Sequence, residues 1–116
     1  MLFIEYPKCT TCQKAKKFLM DNGVNFTSRH IKEENPSFDE LKKWYTQSGL
    51  PLKRFFNTSG LLYKSLDLKN RLPQMSEDEQ LKLLATDGML VKRPILIADN
   101  TILVGFREAD WLEAIK

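Results

Sequence analysis

The sequence is short of the residues that build metal centres and disulfide frameworks. It holds two cysteines and one histidine in 116 residues. A structural zinc site needs four ligands, mostly cysteine and histidine. Cys9 and Cys12 would have only His30 and carboxylates to complete such a site, so His30 is read as an ordinary strand residue. No apolar run approaches the roughly 20 residues of a membrane-spanning helix. The start, "MLFIEYPKC", lacks a charged segment followed by an apolar stretch, so no signal peptide is expected. The expected location is therefore the cytoplasm, where thiols stay reduced and a permanent Cys9–Cys12 bridge is disfavoured. Neither sign of charge dominates, with 18 basic and 15 acidic residues and a net charge of +3. That balance is too weak to argue direct nucleic-acid binding. The basic doublets Lys42-Lys43 and Lys53-Arg54 read as solvated faces. Internal repeats and low-complexity linkers are also missing, and the length suits a single domain over residues 1–116 that can bury a core without disulfide staples.

The pattern that is present has three parts. "LFIEY", residues 2–6, is apolar and β-prone and is closed by Pro7. Ala15, Phe18 and Leu19 then recur at helical spacing from Thr11 to about Asn22, and Gly23 sits where such a helix ends. "VNFTSRHI", residues 24–31, alternates as a strand does, completing a β–α–β unit. A helical middle follows. Ser37 with Glu40, and Ser76 with Glu79, have the spacing of capping boxes. Phe38, Leu41, Trp44 and Tyr45 give the first of these helices an apolar stripe. "PLKRFF" and "GLLYKSLDL" read as short helices, and Asp87-Gly88 stops the helix of "DEQLKLLAT". "PILIAD" and "TILVG" form a hairpin about Asp99-Asn100, and a last helix from about Arg107 buries Trp111, Leu112 and Ile115. The expected order is β–α–β, several inserted helices, then β–β–α.

The chemistry concentrates at "KCTTC". A Cys-x-x-Cys pair between a strand and a helix is a strong signal in a cytosolic chain. Unpaired N–H groups and the helix dipole favour a thiolate at that position. Cys9 is the expected nucleophile, with Lys8 adding positive potential. Cys12 lies about one turn on, near enough to close a disulfide and release a bound partner. Arg93-Pro94 stands at the mouth of the third strand. A proline there has no ladder donor to lose and suits an edge or a site. If that strand ends beside Cys9, Arg93 can stabilise a thiolate or an oxyanion.

Taken together, "CTTC" after the first strand, "FFNTSGLLYKSLDL" in the middle and "DGMLVKRPILI" before the hairpin resemble the arsenate reductase-like family. That family takes in the reductases called ArsC and the regulators Spx and MgsR, and the resemblance spans essentially the whole chain. It implies a thioredoxin/glutaredoxin-like α/β fold with a helical insertion between the N-terminal βαβ and C-terminal ββα units. It implies a cis bond before Pro94 and the nucleophile role for Cys9. In the reductases three arginines surround the oxyanion; Arg93 matches one and Arg107 a second. The third falls near Asn57, where this sequence departs. The histidine upstream of the nucleophile is also missing, and Cys12 is an addition. These departures favour a dithiol mechanism on arsenate or on a disulfide. No bound cofactor is implied; reducing equivalents would come from glutathione and glutaredoxin or from thioredoxin, to a monomer. The regulator branch implies a different role, a redox switch that binds the RNA polymerase α subunit, with Gly49 near the contact region. A thioredoxin-like scaffold with inert cysteines is the third reading.

Overall fold

The computed structural model describes all 116 residues. The elements follow the expected order. They are β1 (Leu2–Glu5), α1 (Thr10–Asp21), β2 (Thr27–His30), α2 (Phe38–Ser48), α3 (Leu61–Ser65), α4 (Leu68–Arg71), α5 (Glu77–Leu84), β3 (Ile95–Ala98), β4 (Thr101–Val104) and α6 (Glu108–Ile115), with short 3₁₀ turns between several of them. The strands form one sheet in the order β2-β1-β3-β4. β1 and β2 run parallel, and the other two pairings are antiparallel.

The period of two along each strand sends side chains to opposite faces, and each face has its own core. Ile4, Ile95, Ile102 and Val104 meet the inserted helices through Leu41, Phe55, Leu68, Leu81 and Leu84. Phe3 and Leu96, their sequence neighbours, meet α1 and α6 through Ala15, Leu19 and Trp111. Burying each such large apolar side chain contributes about 1.5–3 kcal/mol, before chain entropy is counted against it. Glu5 is the one charged group in the core, and Lys16 on α1 pairs with it at 3.1 Å.

The capping readings hold. Ser37 Oγ accepts from the Glu40 N–H while the Glu40 carboxylate accepts from the Ser37 N–H, and Ser76 with Glu79 repeats the arrangement. A cap of the Ser37 kind contributes about 1 kcal/mol. Gly23 follows α1 with a φ of +67°, the left-handed conformation that ends helices. Three details differ from the sequence reading. The second strand is shorter than 24–31, because Val24 and Phe26 serve the core under α1 before pairing begins at Thr27. "GLLYKSLDL" divides into α3 and α4 at Asp67, whose φ is +53°. Leu112 is 42% exposed. Trp111 and Ile115, four residues apart, own the inward face of α6, and one residue's rotation turns Leu112 away.

Arg29 at the end of β2 clamps α2 to the sheet. Its Nη1 and Nη2 donate to the two Glu40 oxygens at 2.6 and 2.9 Å. This hydrogen bonding holds Glu40 down at about 2 from an ordinary 4.5. A depressed carboxylate stabilises the fold above the unfolded value and loses that contribution as pH falls. Stability should therefore decline from near pH 4.5 towards about 2. Arg29→Met should flatten that decline in urea titrations run at stepped pH; an unchanged acid slope would place it in other carboxylates.

Candidate functional site

The sheet register gathers distant segments at one end. Ile4 pairs with Ile95 and Ile95 with Val104. The chain leaving β1, the chain entering β3 and the chain leaving β4 therefore open on one cleft. Cys9, Arg93 and Arg107 line it, and its volume is about 980 Å³. The Arg93–Pro94 bond is cis, and the Pro94 carbonyl accepts from Gly105 N–H at 2.8 Å, tying the two loops together.

Cys9 is the N-cap residue of α1 and no side chain caps the helix. The first-turn amides are thus left for the Cys9 sulfur itself. Partial burial works against the Cys9 thiolate. The N–H groups of Cys12 and Thr11, the Cys12 thiol and the Arg93 charge together outweigh that penalty, and the Cys9 pKa falls below that of an ordinary thiol. Cys12 moves the other way. Its solvent exposure is zero, and burial, with the adjacent Cys9 sulfur adding to it, pushes its pKa up to about 12. Both are free thiols. One turn of helix thus separates an ionisable, half-buried sulfur from a neutral, enclosed one.

Arg93 is held over the face of Tyr6, with its guanidinium carbon 5.2 Å from the ring centre, and Nη1 reaches the Met89 carbonyl at 3.4 Å. Tyr6 also meets His30 in a T-shaped contact. His30 accepts the N–H groups of Lys32 and Glu33 at Nδ1, so it acts as a local turn acceptor at the end of β2. Lys8 is exposed and does not line the cleft; the positive potential at Cys9 comes from Arg93 instead. No group of three or more His, Cys, Asp and Glu side chains is assembled anywhere in the chain.

Arg54 corrects the sequence reading. The Lys53-Arg54 doublet is not simply a solvated face, because Arg54 lines the Cys9 cleft together with Lys92. The cause is a long-range pairing. Phe56 bridges Val91 in antiparallel sense, Asn57 N–H donates to the Leu90 carbonyl and Lys92 N–H donates to the Phe55 carbonyl. That ladder lays the segment before Asn57 beside Arg93. Asn57 itself is on the wall, so the position where the family arginine is missing still faces the site. Nothing in the local sequence around Arg54 signals this placement; only the two β-prone patches "FF" and "LV" could have suggested it.

A strand, a turn bearing a free cysteine at a helix N-terminus, and the Arg93–Pro94 loop facing it define a thioredoxin-like thiol site. The ArsC family model matches residues 4–114, and the chain belongs to that family. The uncharacterized protein YusI of Bacillus subtilis (strain 168) is 53% identical over 113 residues, covering 97% of this chain and 96% of YusI. The regulatory protein MgsR of the same organism is 29% identical, over 100% of this chain and 90% of its own. The crystal structure of a possible arsenate reductase from Streptococcus mutans UA159 superimposes with a TM-score of 0.87 at 45% identity, covering 95% of each chain. The fold is accordingly the thioredoxin-like α/β arrangement with the helical insertion read from the sequence.

Proposed function

We propose that the chain is a small thiol–disulfide redox protein in which Cys9 attacks and Cys12 resolves. The observation that carries this is the placement of the two sulfurs: Cys9 half-buried in the cleft at the N-terminus of α1, where its pKa is lowered, and Cys12 fully enclosed one turn behind it, where its pKa is raised. In the first step the Cys9 thiolate bonds to one sulfur of a disulfide and the other sulfur leaves as a thiolate. In the second, Cys12 bonds to the Cys9 sulfur and passes its proton to the departing thiolate. The substrate gains two electrons and the protein becomes the Cys9–Cys12 disulfide. Forming the mixed disulfide removes the Cys9 negative charge, and with it one of the influences that keeps Cys12 protonated. Thioredoxin, or glutathione with glutaredoxin, restores the dithiol. An oxyanion such as arsenate enters the same scheme when the Cys9 sulfur bonds to arsenic and one protonated oxygen leaves as water. Cys12 then bonds to the Cys9 sulfur, the S–As bond breaks and its electron pair leaves with arsenic as arsenite, with Arg93 and Arg107 balancing the charge of the bound oxyanion.

Cys12→Ser should trap the first intermediate. A mixed disulfide at Cys9 should build up stoichiometrically under intact-mass analysis and clear only when an external thiol is added. Normal turnover of Cys12→Ser with thioredoxin as the only reductant would remove the resolving role.

The likeness to a regulatory protein over the whole chain favours a second reading, in which the same Cys9–Cys12 couple switches binding to the RNA polymerase α subunit. Pull-down of that subunit by the oxidised form or the reduced form, but not by both, would favour it. Absence of binding in both states would remove it.

A further inference from the structure

The Cys9 cleft is strongly one-sided in charge. Arg54, Lys92, Arg93 and Arg107 line it and no aspartate or glutamate does. None of the four is in an ion pair. A concave wall of uncompensated cations focuses potential on whatever enters. Arg93 is already engaged by Tyr6, the Met89 carbonyl and the Cys9 sulfur. Arg54 and Arg107 are different. Their side chains are exposed and donate no hydrogen bond within the protein, so each has its full fork of donors free.

Their position is also particular. A second depression of about 520 Å³ adjoins the first. The two share only Arg54, Val104, Gly105 and Arg107, so both arginines stand at the junction. The second depression holds one carboxylate, Asp110, and that charge disfavours an anion there relative to the first cleft. The wall of the first cleft also carries apolar surface, with Leu61 86% exposed and Phe106 half-buried. An exposed leucine in a reactive cleft suits the short aliphatic stem of a partner.

We propose that Arg54, standing at the junction of the two depressions with Arg107, which the scheme above already gives to an oxyanion, adds an anion subsite through which Cys9 selects disulfide partners carrying a carboxylate or similar oxyanion near the sulfur. This rests on the nucleophile role given to Cys9 above. Guanidinium pairs such groups through two parallel hydrogen bonds. The anchored partner then presents its sulfur to the thiolate, and disulfide exchange proceeds with one S–S bond made and one broken.

The test uses the full reduced chain and three disulfides: dithiodiglycolate, which is anionic, bis(2-hydroxyethyl) disulfide, which is neutral, and cystamine, which is cationic. Rates at Cys9 are divided by those of 2-mercaptoethanol with the same disulfides, to remove differences in leaving-group acidity. The normalised order should be anionic, neutral, cationic at low salt, and should compress at high salt. Arg54→Gln should lower the anionic-to-neutral ratio about threefold to fivefold, the size of a solvent-exposed ion pair, and Arg54→Lys should recover part of it. Lys53→Gln removes a charge from the same turn outside both depressions and should keep the original ratio. A wild-type ratio in Arg54→Gln, or no charge order at all, would overturn the subsite. Failure of Cys9 to react with any of the three would instead overturn its role as nucleophile.

Discussion

Replacing Cys9 with serine should abolish the proposed reaction with disulfides, by about 1,000-fold or more. The expected size follows from the site. The attacking species is a thiolate, and α1 supplies two amide donors and Arg93 a charge to hold it. A serine hydroxyl at the same place stays protonated at neutral pH and cannot form a disulfide. The neighbouring thiol offers no substitute, because Cys12 is fully enclosed and its pKa is pushed up to about 12. Stopped-flow measurement with a chromogenic disulfide checks this. Retention of more than about a tenth of the wild-type rate would mean that Cys12 attacks directly, against the burial argument.

The largest effect on stability is expected at Gly88, far from the thiols in sequence. A Cβ at this position would stand 1.8 Å from the Ile31 carbonyl oxygen and 2.7 Å from its carbon. Both atoms belong to backbone, which cannot rotate aside as a side-chain tip can. Ile31 N–H is also tied to the Glu5 carbonyl at 2.8 Å, at the end of the β1–β2 ladder. Gly88→Ala must therefore push the 3₁₀ turn of residues 88–90 away from the sheet, loosening Leu90 and Val91 in the core. A loss of about 3 kcal/mol or more is expected. Chemical denaturation measures it, and a loss below about 1 kcal/mol would show that the turn moves freely. Because the displaced turn leads into Arg93, such a variant should also react more slowly at Cys9.

These two residues mark the limits of what the sequence makes legible. Cys9 was readable because its chemistry is local: a strand, a proline, a Cys-x-x-Cys pair and a helical period lie within one short stretch. Both capping boxes and the hairpin at Asp99-Asn100 were readable for the same reason, and Arg93 lines the cleft with Cys9 because it adjoins the strand that ends there. Gly88 and Arg54 were not. Gly88 is needed only because Ile31 passes against it, and Arg54 reaches the cleft only because Phe56 pairs with Val91. Those are long-range contacts with no periodic signature. For Lys8, adjacency to Cys9 in sequence says nothing of direction; it is exposed and lies outside the cleft lining.

The asymmetry of the two sulfurs is the central physical claim, and pH-dependent alkylation tests it most directly. The reduced protein is treated with iodoacetamide across a pH series and modification is read by peptide mass. Cys9 should take up the label with a midpoint below that of an unstructured cysteine peptide treated in parallel, and Cys12 should stay unlabelled throughout. A Cys9 midpoint at or above that value, or labelling of both sulfurs together, would contradict the assignment of attacking and resolving thiols.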